Sequence, residues 1–281
     1  MLRMYSINMK VSVAAILLSA LCVSVIGGVV LDPVERPSAK IAPSPLATDG
    51  YLAYPGQFLH HAALRFKTKS STRVYGCAGS LITPVYILTT AACVNHNSVE
   101  YAFAILGSLF NGNTEWEQHI NISMNGVRIH PPSPMYGHND IATIHMDHPA
   151  TLNEYVQPIR LPRLSDTRTY EMMEGTATSA LDGEGLRYLR NQVMSNADCH
   201  EAIQPLYNIS AQHICTDTYI GGSLCGRNSG SALTVEDENG QMLVGVGNIV
   251  FLCDLHYPIR HIRVLYFREW IELNSDYKFE P

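Results

Sequence analysis

Cysteine and histidine are the residue types here best suited to covalent or metal chemistry, and their spacing separates the two uses. The 281-residue chain has seven cysteines and twelve histidines. Cys22 falls in an apolar N-terminal run. That leaves Cys77, Cys93, Cys199, Cys215, Cys225 and Cys253, an even set of the kind a disulfide framework in an oxidising compartment requires. Zinc binding is the rival use of the same residues, but no Cys-x-x-Cys pair and no His-Glu-x-x-His run is present, so we expect no metal and no cofactor. The histidines are scattered and read as packed or surface residues. Asn121-Ile122-Ser123 and Asn208-Ile209-Ser210 are acceptor triplets for glycosylation, which fits a secreted chain, with Asn121 beside a strand and partly shielded.

The elements that must position these groups are short strands. From about Ala47 onward, β-branched and aromatic runs alternate with Gly, Asn, Pro and Ser at intervals of about 8 to 12 residues. The clearest strands are Ser80-Leu81-Ile82, Val85 to Leu88, Tyr101 to Leu106, Ile141 to Ile144 and Leu243 to Val250. This pattern predicts an antiparallel all-β architecture, a barrel or a sandwich. Val264, Phe267, Trp270 and Ile271 fall at helical spacing and predict a C-terminal amphipathic helix over Val264 to Leu273, packed on the β core.

Ahead of the strands, Arg3 and Lys10 precede an uncharged stretch from Val11 to Leu31 that is diluted by Gly27 and Gly28. Residues 1–28 therefore read as a secretory signal peptide, with an uncleaved anchor as the alternative. Residues 29–46, which hold Pro33, Pro37, Pro43 and Pro45, read as an extended pro-segment or linker before a domain at 47–281. With 46% apolar and 16% charged residues, the chain can bury enough surface to fold. A net charge of -6 without a Lys/Arg run argues against nucleic acid or an anionic membrane as partner.

Five patterns occur in order: Cys77-Ala78-Gly79-Ser80-Leu81-Ile82, Leu88-Thr89-Thr90-Ala91-Ala92-Cys93, Asn139-Asp140-Ile141-Ala142, Gln157-Pro158-Ile159-Arg160-Leu161-Pro162, and Cys225-Gly226-Arg227-Asn228-Ser229-Gly230-Ser231-Ala232-Leu233. In that order they resemble the chymotrypsin-like serine peptidase family, most nearly its secreted insect and crustacean members. The resemblance runs from about Ala47 to the C-terminal helix. It implies two packed six-stranded antiparallel β-barrels with a cleft between them, and bridges Cys77–Cys93, Cys199–Cys215 and Cys225–Cys253. Some relatives hold calcium near the loop of Glu115 and Glu117, but two acids in a polar turn read more simply as solvated.

The family's chemistry needs a serine nucleophile, a histidine to take its proton, a buried aspartate to orient the imidazole, and backbone N–H donors for the oxyanion. The resemblance carries the nucleophile onto Ser229 and the orienting acid onto Asp140. The motif L-T-A-A-H-C, however, reads Leu88 to Cys93 with Ala92 at the histidine position. Loss of such a base costs on the order of 10⁶ in kcat. His96, His60 and His61 are the nearby histidines, and their spacing gives no reason for any to serve instead. The glycine of G-D-S-G-G-P reads Arg227, so at the oxyanion position shared with Ser229 either the peptide turns away or Arg227 adopts a strained backbone.

Activation and specificity depart as well. No basic residue precedes Leu46-Ala47, and the acid that would receive the new amino terminus reads Asn228, so both halves of a buried ion pair are gone together. Lys40-Ile41, a displaced cleavage point, lies too early to deliver that terminus. The pocket base reads Ser223, while two small positions read Val250 and Arg260: either Arg260 fills the pocket or its guanidinium selects an acidic side chain. The family's G-W-G turn is missing and the loop around Thr178 to Gly185 is short. The expectation is a secreted, monomeric homologue that no longer hydrolyses peptides and binds an extracellular protein, a protease or its substrate, as regulator or decoy of a proteolytic cascade. The alternative is a weak endopeptidase using Ser229 with a recruited base and an acidic preference set by Arg260.

Overall fold

The computed structural model describes residues 50–108, 115–131, 137–181, 185–218, 229–247 and 257–281. Strands β1 (Tyr51–Leu52), β2 (His61–Thr68), β3 (Val74–Leu81), β4 (Tyr86–Thr89), β5 (Val99–Leu106), β6 (Gln118–Asn121), β7 (Val127–Ile129) and β8 (Ala142–His145) cover the first half. β9 (Glu174–Leu181), β10 (Gly185–Met194), β11 (His213–Thr216), β12 (Ala232–Asp237), β13 (Gly240–Gly247) and β14 (Ile259–Arg263) cover the second.

Two antiparallel sheets result. One runs β6-β5-β2-β3-β4-β8-β7 as a half-barrel. The other runs β1-β10-β11-β14-β13-β12-β9, and β9 pairs back onto β10, so six strands close a barrel to which β1 adds an edge. The all-β, two-barrel expectation therefore holds, with one barrel fully closed. The period-2 pattern is plain in β5, where Ala102, Ala104 and Leu106 point into the core and Tyr101 stays exposed.

Each sheet has its own apolar filling, and a third cluster joins them. Leu64, Phe66, Leu81, Ile87 and Ile120 fill the first sheet, and Val193, Ile214, Leu233 and Val244 fill the second. Ile82, Leu88 and Ile141 from the first half pack with Leu243, Val246 and Ile262 from the second. The C-terminal element seals this junction with Val264, Phe267 and Ile271, all buried. Its form differs from the single predicted helix: Val264–Phe267 is a 3-10 turn, and only Arg268–Leu273 is α-helical (α3). The tighter turn still delivers Val264, Phe267 and Ile271 to the same buried side.

Two further helices are anchored by bridges. α1 (Ala91–Val94) is tied to β3 by Cys77–Cys93, and α2 (Asn196–Ile203) to β11 by Cys199–Cys215, with Cα separations of 6.0 and 6.3 Å. The Ser195 hydroxyl caps α2 by accepting from the Asp198 N–H at 3.0 Å. Cys225 and Cys253 lie outside the described residues. β9 and β10 pair antiparallel with Leu181 opposite Gly185, and residues 182–184 between them lie outside the described residues.

The Cys77–Cys93 bridge closes a loop with a sequence separation of 16, which limits the unfolded chain by about 3 kcal/mol. The double variant Cys77→Ala/Cys93→Ala should lose roughly that much in urea unfolding monitored by circular dichroism. An unchanged midpoint would remove the bridge from the stability account.

Candidate functional site

Three segments from both sheets converge beside α1: Thr89 to Ala92, the turn at Asn139-Asp140 before β8, and the turn at Ser229-Gly230 before β12. The serine turn is held by its backbone. The Ser229 carbonyl accepts from the Ala78 N–H at 2.9 Å, the Gly230 N–H donates to Gly247 O at 2.9 Å, and the Gly247 N–H donates to Ser231 O at 2.6 Å. Gly230 has φ +83, and a Cβ there would run into Ala78 O and the Thr89 hydroxyl, so only glycine fits.

The aspartate is placed by a second strained turn. Asn139 adopts φ 60, a left-handed conformation that asparagine tolerates, and its N–H donates to Gln212 Oε1 at 2.6 Å. Asp140 is then 0% exposed, and its Oδ1 accepts from the Ala92 N–H at 2.8 Å. Its Oδ2 has no hydrogen-bond partner among the described residues. Burial raises its pKa, against the pull of the Ala92 N–H, the Arg260 charge and the Ala91 N–H. The two sequence-predicted remnants, Asp140 and Ser229, are thus brought to either side of Thr90-Ala91-Ala92.

The hydroxyl of Ser229 does not face an imidazole among the described residues. Its partner is the Thr90 hydroxyl, at 2.6 Å, and Ser229 is 7% exposed. Sequence patterns do not single out Thr90; the only trace is that it stands at an alanine of L-T-A-A-H-C. The other histidines near the motif are occupied elsewhere. His60 and His61 are buried, with pKa values lowered by desolvation to about 3 and about 4, and His96 stacks on Tyr75 with ring centroids 4.9 Å apart.

Arg260 lies on β14 opposite Cys215, buried, with its guanidinium 4.4 Å from the Tyr207 ring centroid. Burial lowers its pKa, opposed by Tyr207 and Asp140. Ser223, Arg227, Asn228 and Val250 lie outside the described residues. Asn121 ends β6 in an exposed position, not the shielded one expected, because its side chain falls on the solvent side of the strand; Asn208 is exposed too. Glu117 accepts from the Ser108 hydroxyl at 2.6 Å and lies 3.4 Å from His119, and no group of three or more His, Cys, Asp or Glu fit for a metal occurs among the described residues.

Below the site sit more buried imidazoles. Burial lowers the pKa of His213 and of His261 to about 3 each, and neither nitrogen of His261 has a hydrogen-bond partner among the described residues. Such rings stay neutral in the fold and charge on unfolding, so stability is present above pH 6.5 and is lost as pH falls toward their folded values. Asp140 has the opposite sign: its raised pKa adds stability as pH falls. Four such rings, His60, His61, His213 and His261, act in this window against one carboxyl. The melting temperature should drop steeply between pH 6.5 and 4, and a flat profile would refute the neutral burial of these rings.

The Trypsin family pattern matches residues 47–271. Collagenase of Hypoderma lineatum is 31% identical over 235 residues, covering 81% of this chain and 86% of that protein. Brachyurin of Leptuca pugilator is 29% identical over 235 residues, covering 80% of this chain and 97% of that protein. The solved structure of HL collagenase superposes with a TM-score of 0.71 at 31% identity, over 82% of this chain and 99% of that one.

Proposed function

The chain belongs to the Trypsin family, and from that premise we propose that it is a secreted homologue that no longer hydrolyses peptides and acts by binding an extracellular protein. The observation that carries this reading is what lies between Asp140 and Ser229. Ala92 offers Asp140 a backbone N–H and a methyl group, and the Ser229 hydroxyl is engaged by Thr90. A serine hydroxyl without an adjacent base is a weak nucleophile at neutral pH.

The surrounding residues support the same reading. The histidines that the sequence offers as a recruited base are His60, His61 and His96. Rings with pKa values near 3 and 4 are poor proton acceptors at neutral pH, and His96 is stacked against Tyr75. Arg260, buried against Tyr207, supports a filled pocket over one that selects acidic side chains. Asn228 at the activation acid lacks the charge that position needs, and Arg227 at the oxyanion glycine adds a Cβ where the chemistry calls for none. Two disulfides and two exposed sequons suit an extracellular life after removal of residues 1–28. The rim of the cleft would then engage a protease or its substrate, as regulator or decoy of a proteolytic cascade.

The test is fluorophosphonate labelling of the folded, purified protein beside Ser229→Ala. No labelling of either protein is expected. Labelling of the natural chain that disappears in Ser229→Ala would establish an activated serine and overturn the reading.

A further inference from the structure

Thr90 is placed to cap α1 but does not. It occupies the N-cap position with extended backbone angles, φ -90 and ψ 152, from which a threonine hydroxyl commonly accepts an N–H of the first helical turn. No such capping bond is made. The hydroxyl instead meets Ser229 Oγ, 139 positions away in sequence, and Thr90 is completely buried.

We propose that the Thr90 hydroxyl is a latch that holds the Ser229 hydroxyl away from any group entering the cleft, making Thr90 a positioning residue for that serine. The inference rests on the binding-protein reading and deepens it by adding a second block to chemistry, independent of Ala92. The backbone of Ser229 cannot yield, because its carbonyl is tied to the Ala78 N–H and Gly230 is clamped between Ala78 and Gly247. Ala78 is in turn held by the Thr89 hydroxyl, which donates to its carbonyl at 2.7 Å. With the backbone held, a side-chain rotation, of Ser229 or of Thr90, is what frees the hydroxyl. Rotation of Ser229 leaves the completely buried Thr90 hydroxyl without this bond, which biases against it by about tenfold. Whichever hydroxyl donates, the bond opposes attack: Ser229 either has its proton directed at Thr90 or has a lone pair engaged. An alanine at position 90 could form no such bond.

The latch predicts that restoring a histidine alone leaves the serine slow. Fluorophosphonate labelling rates should be compared for Ala92→His, Ala92→His/Thr90→Val and Ala92→His/Thr90→Ser. Valine keeps the shape and removes the hydroxyl, so its labelling should be about tenfold faster, while serine restores the hydroxyl and should match Ala92→His alone. Equal rates in all three variants would overturn the latch. Should none be labelled, urea unfolding of Thr90→Val, Ser229→Ala and the double variant decides. A coupling of about fivefold in the unfolding equilibrium constant supports the bond, and strictly additive changes reject it. Labelling of the unmodified chain would instead refute the binding-protein reading, leaving the latch to be judged by the Thr90 series.

Discussion

The amide and carbonyl of Ala78 are the point on which the geometry of the site depends. Ala78 lies on β3 in the first sheet; its N–H holds the Ser229 carbonyl at the entry to β12 in the second, and its carbonyl takes the Thr89 hydroxyl just ahead of α1. Its neighbour Cys77 is bridged to Cys93 inside α1. One dipeptide thus fixes both α1 and the serine turn, and the close approach leaves room for a hydrogen atom, not a methyl group, on Gly230. The apolar junction of Ile82, Leu88, Leu243 and Ile262 supplies the burial that keeps these bonds from water.

Desolvation sets the electrostatic character of this region. Asp140 and Arg260 are both buried and each favours the charged form of the other, yet burial shifts both away from it. The imidazoles around them remain neutral for the same reason. His60, His61, His213 and His261 are thus polar groups that carry no charge at neutral pH. An arrangement of this kind maintains shape, and it suits a protein proposed to present a surface more than one proposed to cycle protons.

Much of the architecture was legible along the chain because strands and turns announce themselves locally. The alternation at Tyr101 to Leu106 became β5. Ordered motifs around Cys77, Cys93, Asp140 and Ser229 carried the two-barrel expectation, since each marks a fixed place in the topology. The C-terminal periodicity was right about the buried face and wrong about the first turn, because i, i+3 spacing is shared by 3-10 and α-helical winding.

By itself, the sequence determined which residue types stand at each motif position, including Ala92, Thr90 and Arg260, and hence which functional groups exist to react. Tertiary structure alone decided where those groups point. Thr90 could have capped its own helix, and the Arg260 guanidinium could have been left open to an entering side chain. Packing instead set one hydroxyl against Ser229 and one guanidinium against Tyr207. Hydrogen bonds and ring contacts between residues far apart in the chain depend on backbone placement to within a fraction of an ångström, and no local spacing encodes that.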